Sequence, residues 1–162
     1  MQYQCLEGKI IHIGERAMIK CQLKDSDETI LLKLQPNTPI VHGRNFDILK
    51  FRDIKVGNYF KAYVQNPKFD SGKSSLEFNP SILVVNEGDN FFAVMIGQFD
   101  NETNLVGDQL LTRINENAVI WSSQGFLEYR SEIFVNREVA VFYKISTLSI
   151  PPQATPQLWV IL

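Results

Sequence analysis

A repeat constrains this 162-residue chain more than any other feature. Residues 132–162 read as a strand (135–143), a proline-rich crossing (Ser149-Ile150-Pro151-Pro152-Gln153-Ala154-Thr155-Pro156) and a closing strand (157–162), and residues 53–85 carry a weaker copy of the same plan. Three blocks align in order: 34–41 with 114–121 at an offset of 80, 56–63 with 135–142 at 79, and 80–85 with 156–161 at 76. The offset drifts little, which puts the gaps in loops. Asn37/Asn117, Val56/Val135 and Pro80/Pro156 are identical, and elsewhere the pattern of apolar, polar and turn residues is what recurs. Any two β-rich halves align loosely, but three blocks in collinear order favour duplication. Two copies are too few to share a core as a solenoid does. The expectation is therefore two tandem domains, residues 1–86 and 87–162, each small enough to be marginally stable alone.

Period-two patterning fills both halves. Ala17, Ile19, Cys21 and Leu23 alternate in a strand that returns from a turn at Gly14-Glu15, and residues 29–34 add a third strand to this meander. Pro36 and Pro39 break the sheet, since proline cannot donate into a ladder. Residues 46–51 suit a short strand or a helical turn. Val56-Gly57 leads into a strand at 59–64, with Gly57 supplying a permissive backbone. Residues 66–75 read as an exposed loop and 76–85 as the last strand of the first copy. Asn86-Glu87-Gly88-Asp89-Asn90 is the strongest break in the chain. The second copy follows the same order from a strand at 91–99, and lacks one meander strand unless 105–114 bends at Gly107. No helical stripe extends over eleven or more residues. Short, regularly spaced strands with turn signals point to an all-β fold of two tandem small barrels of OB-like type.

Apolar residues make up 44% and charged residues 21% of the chain, so it folds rather than staying disordered. Charge is unevenly shared, at net +3 over residues 1–86 and −5 over 87–162. Opposite signs would help the halves dock, though loop composition alone also produces such a bias. A two-residue turn at Gly14-Glu15 would pair residues whose numbers sum to about 29. Cys5 and Cys21 do not fit that sum, so two small half-buried thiols are expected rather than a disulfide. No stretch approaches a membrane span, and the N-terminus lacks the basic and apolar regions of a signal peptide. Taken literally this places the chain in the cytoplasm; a secreted or envelope protein with its export signal removed would look the same.

Four pieces of residues 118–162 resemble a known group. They are Val119-Ile120-Trp121, Ile133-Phe134-Val135-Asn136-Arg137-Glu138-Val139, Ser149-Ile150-Pro151-Pro152-Gln153-Ala154 and Trp159-Val160-Ile161-Leu162. In this order they resemble small β-barrel domains of unknown function from Gram-positive bacteria. The chain departs at Asn136, where those domains usually have glycine. The matched residues are structural punctuation, so the resemblance implies a fold and carries no activity.

Chemistry is sparse. His12 and His42 are the only histidines, with no Cys, Asp or Glu at metal-ligand spacing; His42, beside Gly43 in a loop, is the better candidate ligand. Phosphate loops, nucleophile elbows and HExxH are absent. Asp25, Asp27 and Glu28 lack the calcium-loop pattern. No cofactor or metal is expected, and no enzyme, although catalytic groups can converge from distant strands. Barrels of this kind do bind single strands through basic grooves and aromatic platforms. The first copy offers Lys50, Phe51, Arg52, Lys55, Tyr59, Lys61, Tyr63, Lys68, Phe69 and Lys73. Alternation puts Tyr59, Lys61 and Tyr63 on one face of a strand and Phe60, Ala62 and Val64 on the core side. The same face would serve an ordinary solvated strand. The candidate ligand residues are Tyr59, Lys61, Tyr63, Arg52 and His42. The expected function is a non-enzymatic protein-interaction or envelope-associated accessory module; the alternative is single-stranded nucleic acid or oligosaccharide binding on that face.

Overall fold

A computed structural model describes residues 2–65 and 76–162. Lys68, Phe69, Lys73 and the expected 66–75 loop lie outside the described residues. The chain divides into two units, Met1–Phe91 and Phe92–Leu162. The first contains β1 (Tyr3–Ile13), β2 (Met18–Leu23), β3 (Thr29–Lys33), β4 (Ile40–His42), β5 (Ile48–Leu49), β6 (Tyr59–Gln65), β7 (Leu76–Phe78) and β8 (Ile82–Asn86). The second contains β9 (Ala93–Asp100), β10 (Leu105–Val106), β11 (Leu110–Thr112), β12 (Val119–Ser122), β13 (Gly125–Leu127), β14 (Glu138–Tyr143), β15 (Gln153–Ala154) and β16 (Leu158–Ile161). Among the described residues the one helical element is the 3-10 turn Phe51–Asp53, and no helix is long and apolar enough to cross a membrane.

The duplication is visible in topology and in register. The first sheet runs β5-β4-β8-β6-β1-β2-β3-β7, and the second repeats it as β13-β12-β16-β14-β9-β10-β11-β15. The residues aligned in sequence occupy the same ladder rungs. Ile40 pairs with Leu83 as Ile120 pairs with Trp159. Phe60 pairs with Val85 as Val139 pairs with Ile161. The bend at Gly107 supplies the meander strand that seemed missing from the second copy. Gly107 and Asp108 both have left-handed backbone (φ 59° and 58°), and the hairpin closes between β10 and β11.

The hydrogen-bonded order is open in each unit, ending at β5 and β7 or at β13 and β15. Even so, one face of nearly every strand feeds a single core. In the first unit Leu6 and Ile10 of β1, Leu32 of β3, Phe78 of β7 and Leu83 of β8 belong to one cluster. Eight strands about 4.8 Å apart would make a flat sheet on the order of 35 Å wide, too wide to share one cluster, so the sheet curls. β7, parallel to β3, is followed after three residues by β8, which runs antiparallel to β6, so one short break carries the chain between the two sides of the sheet. Pro80, and Pro156 at the equivalent place, stands in that break, where a missing N–H costs no ladder bond. Both faces of β8 and of β16 are buried, which explains the apolar runs Ile82-Leu83-Val84-Val85 and Leu158-Trp159-Val160-Ile161.

Glycines mark the tightest point. β1 gives Tyr3–Lys9 to β6 and residues from Gly8 to Ile13 to β2, so the strand changes partner at Gly8 and Lys9. A Cβ on Gly8 would sit 1.9 Å from the Gln22 carbonyl oxygen. Gly97 holds the equivalent place in β9, where a Cβ would meet the Gly107 Cα at 2.6 Å. Left-handed backbone recurs at equivalent positions of the two copies, Gly57 and Asn136. Gly57 has φ 95° and Asn136, its counterpart, φ 56°; asparagine is among the few side-chain-bearing residues that adopt this region readily.

Two expectations are corrected. The β1–β2 turn is longer than two residues: Ile13 pairs with Ile19, and Arg16 and Ala17 both take left-handed backbone within the turn. The thiols are free and unlike each other rather than both half-buried. Cys5 is exposed opposite Tyr63, and Cys21 is fully buried between Ile10 and Ile30.

Gly8→Ala and Gly57→Ala separate steric from backbone cost. Nothing lies within 4 Å of a Cβ on Gly57, so that change costs only left-handed strain, about 1 kcal/mol in a urea unfolding curve. Gly8→Ala forces β1 away from β2 and should cost more than about 3 kcal/mol or prevent folding. Equal midpoints for the two variants would contradict the close crossing.

Candidate ligand groove

Strand alternation on β6 divides its side chains as expected. Phe60, Ala62 and Val64 are buried, and Tyr59, Lys61 and Tyr63 face outward. That outer face is half-buried rather than open. In register on β1 it meets Lys9, Glu7 and Cys5. The Lys9 ammonium lies 5.3 Å from the Tyr59 ring centroid, and the Lys61 ammonium 5.1 Å from that of Phe91. Each lysine therefore holds a ring in place by attraction to its π face.

Phe91 is the residue that the sequence reading missed. The sequence pattern puts it in the first strand of the second copy, yet it precedes β9 and is the last residue of the first unit. Asn86, buried at the end of β8, donates from Nδ2 to the carbonyls of Gly88 and Asn90 and so folds 86–90 into a tight return. Phe91 then packs so closely on Gly43 that a Cβ there would lie 2.4 Å from the ring. The available signal was the Asn86-Glu87-Gly88-Asp89-Asn90 run itself, which turns the chain back as readily as it ends a domain.

Tyr59 and Phe91 line a groove of about 530 Å³ in the first unit. Its walls are Glu7, Gly8 and Lys9 of β1, the end of β2 at Gln22 and Leu23, the turn Lys24-Asp25-Ser26-Asp27, and Asp89. Two lysines and four carboxylates thus line the groove together with the Tyr59 and Phe91 rings. Gly8 is doubly used here, since the strand switch it permits also opens the groove.

The other candidates lie apart from this groove. Tyr63 sits further along β6, and Arg52 is exposed in the 3-10 turn; neither lines it. His42 serves the fold. Its Nδ1 accepts from the backbone N–H groups of Arg44 and Asn45 at 3.2 Å each, which makes Nε2 the protonated nitrogen, and Nε2 donates to Glu87 at 2.8 Å. With Nδ1 engaged by the β4–β5 turn and Nε2 by Glu87, the ring offers no ligand lone pair. A bond to its own backbone N–H, and then the His42 bond, hold the Glu87 carboxyl below the usual carboxylate range. Among the described residues no three His, Cys, Asp or Glu side chains gather as a metal site. The Cys21 thiol is pushed up to about 12 by burial and stays protonated at neutral pH. No protein-family model, curated protein or solved structure matches the chain.

Two measurements follow from these contacts. His42→Ala strands two backbone donors and should lower unfolding free energy by about 1–2 kcal/mol. Glu87→Gln, at an exposed partner, should change it by less than about 0.5 kcal/mol. On the alkaline side, the unfolded chain loses the Cys21 proton near pH 9 while the folded chain holds it to about pH 12. Cys21 therefore makes stability fall with rising pH across that window. Chemical denaturation at pH 8 and about pH 10.5 should show a smaller drop for Cys21→Ala than for the parent.

Proposed function

We propose that this protein is a non-enzymatic, envelope-associated binding module of two OB-like copies, and that the first copy holds an oligosaccharide in the Tyr59/Phe91 groove. Taking β7 and β8 as one broken strand, each copy reads as a ring β1-β2-β3-β7/β8-β6 that returns to β1, with the β4–β5 hairpin added. That order fits a partly open five-stranded Greek-key barrel, a frame that serves both oligonucleotide and oligosaccharide ligands. It also fits the small β-barrel domains that residues 118–162 resemble.

One observation carries the choice of ligand: two lysine-braced rings in a groove whose walls hold more carboxylates than amines. A nucleic acid strand needs net positive charge along its track, and Lys9 and Lys24 are outnumbered by Glu7, Asp25, Asp27 and Asp89. A neutral sugar chain has the opposite needs. Its C–H face packs on an aromatic ring, and its hydroxyls donate to carboxylates and accept from amide and ammonium groups such as Gln22 and Lys24.

Calorimetric titration with neutral glucan and chito-oligosaccharides, beside labelled single-stranded DNA and RNA across a salt series, tests the reading. Sugar binding should be insensitive to salt and should weaken about tenfold or more in Tyr59→Ala and in Phe91→Ala. Salt-sensitive nucleic acid binding that Lys61→Glu abolishes, with no sugar binding, would replace it with the polyanion reading.

A further inference from the structure

A different part of the molecule, in the second unit, is built for a surface. The connection from β14 to β15 exposes Ile145 at 82%, Leu148 at 102% and Ile150 at 100%, more than any other large apolar side chain among the described residues. A loop that only had to link two strands would put polar or small residues there. The loop is also tied shut. The Thr147 N–H donates to the Gln153 carbonyl at 2.9 Å, and Ser146 bridges to Ala154. A relay then crosses it: the Gln153 N–H donates to Thr147 Oγ1 (2.9 Å), the Thr147 hydroxyl to Ser149 Oγ (2.6 Å), and the Ser149 hydroxyl to the Pro151 carbonyl (3.0 Å). Leu148 and Ile150 flank Ser149 at the apex of this closed loop. Two aliphatic groups are thus held in water by a hydrogen-bonded loop.

A groove of about 460 Å³ opens at the foot of the same loop, lined by Arg113, Lys144, Ser146, Thr147, Thr155 and Gln157, and its lining includes no carboxylate. The absence is selective. The second unit has seven acidic and four basic side chains, yet from Val139 to Leu162 the single charged residue is Lys144. Lys144 is steadied by the Phe92 ring, 5.2 Å from its ammonium. Arginine, lysine and hydroxyl groups around one hollow are the donor set for a phosphate diester.

We propose that this end of the second unit docks on an anionic phospholipid bilayer, with a lipid phosphate in the Arg113/Lys144 groove and Leu148 and Ile150 in the outer acyl layer. Neither half suffices alone: a short apolar insertion binds marginally, as does a small basic patch, and peripheral anchoring takes two such signals together. With the groove at the foot of the loop and the aliphatic pair at its apex, the arrangement matches the depth order of a bilayer, phosphate outside and hydrocarbon within. The site is separate from the sugar groove of the first unit, so either can fail without the other.

Vesicle co-sedimentation of the full chain decides it. The protein should pellet with phosphatidylcholine–phosphatidylglycerol vesicles, remain in solution with phosphatidylcholine alone, and bind less as salt rises. Leu148→Ser with Ile150→Ser should lower partitioning about tenfold or more. Arg113→Gln with Lys144→Gln should remove the preference for the anionic lipid. All four side chains are exposed, and an unchanged melting curve for each variant confirms that the fold is kept. Three results would overturn the proposal. They are no pelleting with the anionic vesicles, pelleting unaffected by the loss of Leu148 and Ile150, and a groove that inorganic phosphate stabilises in a melt while vesicles do not bind. The last would identify a free-anion site, and capture of a protein through the same loop would leave the vesicle result negative.

Discussion

One strand in each copy has to serve two ladders, and the rest of the fold depends on how it does so. β1 bonds to β6 along its first half and to β2 along its second, changing partner over Gly8 and Lys9. β9 does the same, with β14 up to Gln98 and β10 from Phe99. A strand that kept both partners along its whole length would lie in a flat sheet with two separate faces. The change of partner curls the sheet, so that residues from many strands gather on one face into a common core. A unit of this size can then bury residues such as Ile10, Leu32, Phe60 and Leu83 in a single cluster. Because neither Gly8 nor Gly97 has room for a side chain, close backbone approach is the condition for that curl.

The repeat was legible in sequence because its markers are backbone constraints. Prolines sit in the strand breaks, and Val56-Gly57 and Val135-Asn136 sit at left-handed entries to strands. Positions of that kind keep their spacing while side chains drift, and the ladder rungs later matched the aligned residues. The inward face of β6 was legible for a similar reason, since period two is a property of the strand itself. The groove was not. It depends on Phe91 returning across the β8 end to Gly43 and Lys61, and local pattern does not say to which side of a polar break an aromatic residue will pack. His42 looked like an available ligand for the same reason, because the two N–H groups that occupy Nδ1 come from the turn geometry.

The copies share a frame and differ in what is attached to it. The β2–β3 turn of the first copy supplies Lys24, Asp25, Ser26 and Asp27 to the groove wall, whereas the β10–β11 turn is three residues long and offers no such wall. In the second copy the connection after β14 forms the closed apolar loop. Connections run over the surface, where a change leaves the shared frame in place. The cores have diverged as well. The first is mainly aliphatic, while the second centres on Trp159 stacked on Phe134 at 4.3 Å with Phe99 edge-on to both.

That aromatic centre gives the molecule an optical asymmetry. Both tryptophans, Trp121 and Trp159, belong to the second copy, and the first has only tyrosine as a comparable emitter. Trp159 is fully buried among apolar rings, and its indole N–H has no hydrogen-bond partner among the described residues, an environment that shifts tryptophan emission to the blue. The colour of the emission therefore reports the integrity of one half of the chain, while circular dichroism sums over both. The lag between the two signals during denaturation measures, without any label, whether the duplicated halves unfold as one cooperative unit or in sequence.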